Sequence, residues 1–480
     1  MSANQSNNQK EENVYFRDRV STINEEGKRV WLHPKKPKGK LTTYRWIVAS
    51  ILLSFLFIAP WINFKGEPFM LFNVLDRKFI IFGQMFWPQD FHLIVLSLIS
   101  LIVFILLFTV IFGRIFCGWA CPQTIFMEFV FRQIEYLIEG DFAKQKKLAR
   151  MPWNLEKLTR KTLKHIIFFA IALLISNTFL AYIVGVDRLK VLISDGPMAH
   201  LGSFTALLIF TGIFYFIFAF FREQVCIIAC PYGRLQGVML DSKSVVVAYD
   251  YKRGEPRGKH NPLEDRATTG KGDCIDCHSC VMVCPTGIDI RNGTQLECIN
   301  CTACIDACNA IMDKVRLKRG LIRYDSEKGI AEGKRSIFNA RAIAYSAFLT
   351  LLLVVVASLF TFRSQVEATI IRMPGTLYQQ YGPESYSNLY KVQLVNKTRD
   401  DMPINIQLLS PGSGEIKMVT GDIILSKESV SEANFLVILP KTYLTSSNVP
   451  IEFGVFSNDL LITKYKLNFV GPNALDLKTN

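Results

Sequence analysis

Five runs in this chain are long and apolar enough to cross a bilayer, and they decide what it can fold into. They cover residues 44–64, 91–112, 163–184, 201–221 and 338–362. A hydrocarbon core about 30 Å thick needs about 20 apolar residues in a helix. Inside it every backbone N–H and C=O must find a partner within the segment, which makes these runs helices. Buried helices of a soluble core could imitate one such run but not five. Their charges, Arg45, Lys164 and Arg341, lie near the ends. Trp46 and Trp61 bracket the first run, as interfacial aromatics do. Ser176, Asn177 and Thr178 in the third are tolerable if they face other helices.

Lysine and arginine set the orientation. Lys35, Lys36, Lys38, Lys40 and Arg45 crowd the start of the first run, and Lys144, Lys146, Lys147 and Arg150 lie between the second and third. The loops on the other side hold only Lys65, Arg77 and Lys78, then Arg188 and Lys190. The N-terminus and the segment between runs four and five are therefore expected in the cytoplasm, and the C-terminus outside. A net charge of +14 suits basic segments beside an anionic leaflet. No nucleic-acid recognition motif is present, and the first forty residues lack the apolar core of a cleavable signal peptide.

Within the cytoplasmic segment, residues 274–308 carry eight of the twelve cysteines. Cys274, Cys277, Cys280 and Cys284, followed by Pro285, form one run; Cys298, Cys301, Cys304 and Cys308 form the other. Both follow C-x2-C-x2-C-x3-C, the spacing of bacterial two-cluster ferredoxins. Three thiolates on a tight loop can hold three corners of a cubane, and the fourth cysteine is too far along to close the same one. In the ferredoxin pattern it crosses to the other cluster. Carried over, Cys274, Cys277, Cys280 and Cys308 bind one 4Fe-4S centre, and Cys298, Cys301, Cys304 and Cys284 the second. Zinc ribbons do not ask for a third cysteine three residues on, and disulfides are not expected in a reducing compartment. His278, within the first run, could hydrogen-bond a cluster or simply face solvent. His92, at the start of the second membrane run, reads as an interfacial side chain before a metal ligand.

The second and fourth membrane runs both lead into C-x3-C-P: Cys117, Cys121 and Pro122, then Cys226, Cys230 and Pro231. This is an internal repeat of one membrane-crossing unit. Proline is favoured at the first helical position, so Pro122 and Pro231 are expected to open helices with Cys121 and Cys230 at their caps. The helix dipole there would lower a thiol's pKa. Four converging thiols would favour Cu(I), zinc or iron–sulfur over hard cations, or could serve thiol redox chemistry. Alternatively each is a small buried residue.

SVVVAYDYK and GLIRYDS read as strands framing the cluster loops, and DRKFIIFGQMFWPQDF as an aromatic loop at the membrane interface. Beyond the fifth run, KVQLVN, PINIQLL, EIKMV, DIIL, NFLVILP, IEFGVF and KYKLNFV are strand candidates. Seven short strands suggest an immunoglobulin-like sandwich, here without a cysteine. The fold class is thus an α-helical integral membrane protein with a two-cluster ferredoxin-like domain and an all-β immunoglobulin-like domain. The expected divisions are a flexible cytoplasmic tail (1–43), four transmembrane helices (44–221), the cytoplasmic dicluster domain (222–337), a fifth helix (338–362) and a periplasmic sandwich (363–480).

With these residues placed, the chain resembles the cytochrome c oxidase accessory protein family of the CcoG/FixG/RdxA type. The resemblance rests on RVWLHPKKPKGKLTTYRW, FGQMFWPQDF, CGWACPQ, CIIACPYGR, the paired cluster motif, GLIRYDS and the β-rich end, in that order. It implies a bacterial inner-membrane protein with two 4Fe-4S clusters that helps assemble cbb3-type oxidases. Cu(II) would be reduced to Cu(I) before insertion, with electrons from a donor the sequence does not identify. Oxidase-assembly or copper-delivery proteins would be its partners. Two rival readings are a quinol-linked electron-transfer subunit and a non-catalytic assembly factor. Against an ordinary two-cluster ferredoxin, Asn309 replaces the proline expected after the last cysteine. Only thirteen residues separate Cys284 from Cys298.

Overall fold

The computed structural model describes residues 22–24, 26–64, 66–74, 78–87, 90–261, 266, 269–333, 340–362, 366–375, 377–398, 400–419, 421, 423–427, 429–444, 446–457 and 460–472. The chain divides into two compact units, residues 1–76 with 94–354, and 77–93 with 355–480.

The membrane helices are α1 (Lys40–Ile58) and α2 (Phe91–Phe112). Short helices α3 (Ile115–Trp119) and α4 (Pro122–Ile125) follow, then a π-helical turn, Phe126–Phe131. Next come α5 (Leu155–Val184) and α6 (Leu201–Phe216), the latter prolonged by π-helical Ile217–Phe221. After π-helical Val225–Ala229 comes α7 (Pro231–Met239). The cluster segment holds β1 (Val246–Tyr249), α8 (Ser279–Met282), α9 (Ala303–Lys314) and β2 (Ile322–Asp325), and α10 (Ala340–Thr361) is the last long helix. Helices α1, α2, α5, α6 and α10 are long and apolar enough to span a membrane. They turn Ile51, Leu98, Ile209 and Leu353 outward. Apolar surface of that extent suits lipid and not water, so this is a membrane protein. Ser176, Asn177 and Thr178 do not need other helices: each donates to the carbonyl four residues back in α5.

The repeat anticipated from C-x3-C-P is real in three dimensions. Each copy runs from a long helix to a break, a short helix with the first cysteine, then a proline-opened helix capped by the second. The break lies four residues before the first cysteine in both copies and has a left-handed backbone, at Gly113 (φ 59°) and Arg222 (φ 53°). Glycine adopts that conformation freely; arginine does so at a cost of about 1–3 kcal/mol. A buried fork holds Arg222 there. Its guanidinium donates to both carboxylate oxygens of Glu135, at 2.9 and 2.8 Å.

Around this pair lies a buried ionic network. Lys164 lies 3.7 Å from Glu135 and 3.0 Å from Glu139. Arg132, fully buried, meets Glu128 at 2.5 Å and Glu223 at 3.7 Å, and Arg29 pairs with Glu223 at 2.9 Å. Burial alone would raise the Glu135 carboxyl, but Arg222, Lys164 and Arg132 hold it down at about 2.

The N-terminal stretch is not the flexible tail expected over 1–43. Its first 21 residues lie outside the described residues, but from 22 onward it is fastened down. Lys35 N donates to the Met282 carbonyl at 2.8 Å, and His33 Nδ1 lies 3.2 Å from Gln145 Oε1. Trp31 is stacked beneath Arg29, 4.1 Å from its ring centre. The start of α1 is capped from elsewhere in the chain. Asp306 accepts from Thr42 N and Thr42 Oγ1, both at 2.7 Å, and from Leu41 N at 3.3 Å.

The second unit is a sandwich of β3 (Val366–Arg372), β4 (Ser385–Asn396), β5 (Met402–Ser410), β6 (Glu415–Met418), β7 (Ile423–Leu425), β8 (Val430–Pro440), β9 (Asn448–Ser457) and β10 (Leu460–Val470). One sheet runs β6-β8-β4-β3, with Gln379–Gln380 also paired to β4; the other runs β7-β5-β9-β10. All seven sequence candidates are strands, while β3 was not anticipated. Alternate residues face the core, where Tyr390, Phe435 and Phe453 pack together. Tyr390 resolves its buried hydroxyl by donating to the Asn468 carbonyl across the sandwich at 3.1 Å. The aromatic loop before α2 is not a free interfacial segment. It forms a hairpin, Lys78–Ile81 with Gln84–Phe86, that belongs to this unit. The buried Asp90 anchors it, 2.7 Å from Lys397.

Replacing Glu135 by alanine strands a buried guanidinium and is expected to cost roughly 3–5 kcal/mol. The readout is the SDS-unfolding midpoint of the solubilised protein. Because the folded carboxyl lies below its ordinary 4.5, this contribution is present above about pH 4.5. It is lost as pH falls toward about 2. A variant with an unshifted midpoint would show that the pair contributes nothing.

Candidate iron–sulfur and thiol site

The two cysteine runs share one local fold. In each, the second and fourth residues after the leading cysteine are left-handed: Asp276 (φ 55°) and His278 (54°), then Asn300 (53°) and Thr302 (64°). Asp, Asn and His enter this region more readily than most residues, whereas a β-branched threonine does so only under constraint. The reversals curl each loop around its thiols and deliver the chain into α8 or α9, which His278 and Thr302 precede. After Cys284, Pro285 follows the end of a short helix. After Cys308, Asn309 keeps its N–H, so α9 continues to Lys314, and the Asn309 side chain accepts from Gly320 N at 2.9 Å. The departure from proline thus lengthens a helix.

Two cavities lie inside these loops. One is lined by Cys274, Cys277, Cys280 and Cys308 with Tyr249, Met312 and Leu321. The other is lined by Cys298, Cys301, Cys304 and Cys284 with Val247, Ile288 and Ile290; Cys280 borders it too. The last cysteine of each run therefore lines the cavity of the other. Strands β1 and β2, paired antiparallel from Val246↔Asp325 to Tyr249↔Ile322, supply part of the apolar wall.

Burial pushes Cys298, Cys308 and Cys280 up to about 12 and Cys301 to about 11. Such thiols need a bound cationic centre to ionise. Among the described residues no three His, Cys, Asp or Glu side chains are drawn together tightly enough for a single ion. Thiols around a cubane stand further apart than thiols around a bare ion. Soft donors, four to a cavity, in water-excluding walls fit a 4Fe-4S cluster.

Cys117, Cys121, Cys226 and Cys230 converge at the ends of the membrane repeat. Burial, with Cys121, Cys117 and Cys230 close enough to add to it, raises the Cys226 thiol to about 12. Cys121 and Cys230 stand at the helix starts expected for them. The anticipated fall in pKa is not found at Cys121. Its thiol does face the N–H groups of Thr124 and Gln123, but burial outweighs them and the pKa rises. Cys117, also raised by burial, donates to Gln236 Oε1 at 3.1 Å.

This quartet abuts the second cavity. Cys117 packs with Val283, Ile299, Cys301 and Ala303. Gly118 lies so close that a Cβ there would sit 2.5 Å from the Ile299 carbonyl oxygen and 2.9 Å from the Cys301 Cα. Arg45 donates to the Gly118 carbonyl at 3.0 Å, and Arg114 binds Gln236 at 3.1 Å and the Leu296 carbonyl. The sequence reading missed Gly118, Arg222 and Asp306. Only Arg222 had a signal there, its register with Gly113. His278 faces solvent for the most part and is bonded to Arg291 at 2.9 Å.

A two-cluster ferredoxin fold fastened to a bundle of membrane helices defines a membrane iron–sulfur electron-transfer protein. Residues 221–327 match the 4Fe-4S dicluster domain family and residues 94–146 a 4Fe-4S binding domain family. Residues 355–472 match the IG-like fold at the C-terminus of FixG. Protein RdxB of Cereibacter sphaeroides is 35% identical over 80% of this chain and 83% of its own. Protein RdxA of the same organism is 32% identical over 86% and 89%. Nitrogen fixation protein FixG of Rhizobium meliloti is 38% identical over 62% and 57%. The chain belongs to this FixG/RdxA family of membrane polyferredoxins.

Three substitutions test the site. Gly118→Ala removes no thiol, yet it is expected to change the EPR spectrum assigned to the Cys301 centre by forcing its loop to move. Cys284→Ser is expected to alter that same centre and spare the one altered by Cys274→Ser. If Cys284→Ser and Cys274→Ser change the same signal, the ligands do not cross.

Proposed function

We propose that this protein is a membrane-bound, one-electron metal reductase that converts Cu(II) to Cu(I) for assembly of a cbb3-type oxidase. Cys274, Cys277, Cys280 and Cys308 hold one 4Fe-4S cluster, and Cys298, Cys301, Cys304 and Cys284 the other. When bound, such clusters supply electrons one at a time. The observation that carries the reading is the packing of Cys117 and Gly118 against the Ile299–Cys301 backbone. It brings Cys117, the first of the four soft donors, against the second cluster site with no intervening layer of protein.

The chain's own residues do the rest. The apolar wall of Val247, Ile288 and Ile290 keeps water from the second site. The Arg222–Glu135 pair holds the Cys226 turn in place. The thiols of Cys117, Cys121, Cys226 and Cys230 engage the copper substrate, and their softness favours Cu(I) as product. They are not drawn into a tight single-ion cage, which suits an ion that must be released to a copper-delivery or assembly partner. The distribution of Lys and Arg supports a cytoplasmic location for both cluster sites and a periplasmic one for the sandwich.

The test is anaerobic. Protein reduced with dithionite and freed of excess reductant is given Cu(II), and Cu(I) is read with a chromophoric chelator. Wild type is expected to form Cu(I) in proportion to its reduced clusters; the Cys226→Ser/Cys230→Ser variant is expected to lose most of this with its iron content intact. Unchanged Cu(I) formation in that variant would remove copper from these thiols. Clusters that copper leaves reduced but a quinone analogue oxidises would favour the quinol-linked alternative.

A further inference from the structure

Of the eight cysteines in the two runs, Cys277 is the one exposed to solvent. Its neighbours Asp276 and His278 leave 43% and 57% of their side chains in water. Of the two cavities, the one that Cys277 does not line is the one whose wall touches the C-x3-C-P units, through Cys301 packed on Cys117. The three thiol sites thus form a series: the C-x3-C-P quartet at the membrane helices, then the Cys301 cavity, then the Cys277 cavity, which reaches the surface. Within the two cysteine runs, Cys277 is the thiol that a carrier in water can approach most closely.

The turn after α9, whose flanking residues Met312 and Leu321 line that cavity, is mostly cationic. The turn after α9 exposes Lys314, Arg316, Lys318 and Arg319 against a single carboxylate, Asp313, which is bound to Arg319 at 2.5 and 2.8 Å. Lys314, Arg316 and Lys318 have no ion-pair partner among the described residues. Arg253 fixes the turn in place by donating to the carbonyls of Lys318 at 2.6 Å and Arg319 at 3.1 Å. The same guanidinium pairs at 2.7 Å with Asp273, the residue before Cys274. The bonds use the turn's backbone and leave its cationic side chains exposed, beside the cavity that Cys277, Met312 and Leu321 line.

We infer that this face docks a soluble, acidic one-electron carrier protein, and that the carrier supplies the reducing electrons. The inference rests on the reading that the cysteine runs hold clusters. The carrier is oxidised by one electron and the Cys277 site is reduced by one; no bond forms or breaks and no proton moves. A basic turn could also meet anionic lipid. This one, however, flanks the site remote from the membrane-helix quartet, and the exposed ligand beside it is the feature a redox partner requires. Opposite charges across such a contact raise association rates by about 10 to 1,000-fold and lose that advantage in salt.

The experiment uses the full chain, purified anaerobically in detergent with its iron retained, and flavodoxin hydroquinone as the acidic donor. Stopped-flow bleaching of the iron–sulfur absorbance gives the reduction rate. At low ionic strength, Lys314→Glu/Arg316→Glu/Lys318→Glu is expected to slow that rate at least about tenfold, and raising salt is expected to slow wild type toward the variant. Reduction by dithionite and iron content should be the same in both, which separates a docking defect from a lost cluster. A flavodoxin rate indifferent to salt and to charge reversal overturns the inference. So does a variant altered only in its response to anionic against zwitterionic vesicles, which would assign the turn to the bilayer. Cu(II) reduction by dithionite-reduced protein bypasses the carrier, so that reading stands or falls separately.

Discussion

A single buried fork, Arg222 on Glu135, holds the membrane part of this protein in its working shape. The two halves of the repeat are equivalent in backbone, but one turns its corner with glycine and the other with arginine. Left-handed arginine is unfavourable alone. It persists because its side chain neutralises a carboxylate on the helix that follows the other half. One interaction thereby fixes the corner that presents Cys226 and Cys230 and ties it to the segment that presents Cys117 and Cys121. Buried ion pairs seldom add much net stability. Here the pair selects a conformation that the backbone would otherwise leave.

The cluster domain is joined to the membrane helices by their unpaired ends. The last carbonyls of α2 are met by the segment entering β1: Ser244 Oγ donates to Val110 at 2.9 Å and Val245 N to Ile111 at 3.0 Å. The first N–H groups of α1 are met by Asp306. Helix termini leave such groups without partners, and at a membrane edge the choice is water, headgroups or protein. Because protein takes the place, the second cavity is held directly against α3, close enough that Gly118 has no room for a side chain.

Much of this was legible in the sequence. The spans follow from the length of apolar runs, the grouping of cysteines around the two cavities from their spacing, and the sandwich strands from alternation. The helix starts at Cys121 and Cys230 follow from proline's missing N–H. The failures have physical causes. Strand β3 emerges directly from the fifth span, where VEATIIR reads as the tail of an apolar run. The described part of the N-terminal stretch before α1 forms no helix; it is held by Arg29, His33 and the Lys35 amide, contacts that composition does not encode. The Cys121 shift was judged from a helix dipole without knowing how deeply the thiol is buried. Gly118 and Asp306 act on residues far away in sequence, and their roles are invisible until the chain is folded.

The distance between Asp306 and the helix it caps gives the chain an internal clock. Thr42 is synthesised early and its partner 264 positions later, after four spans have already been made. Until then the start of α1 must rely on solvent or headgroups. When the partner arrives it is carried on α9, between Cys304 and Cys308, so the loop that must gather iron also completes the first span. One short helix therefore carries a cysteine of each cavity together with the cap of the first membrane helix, so a change of register in α9 would disturb all three at once.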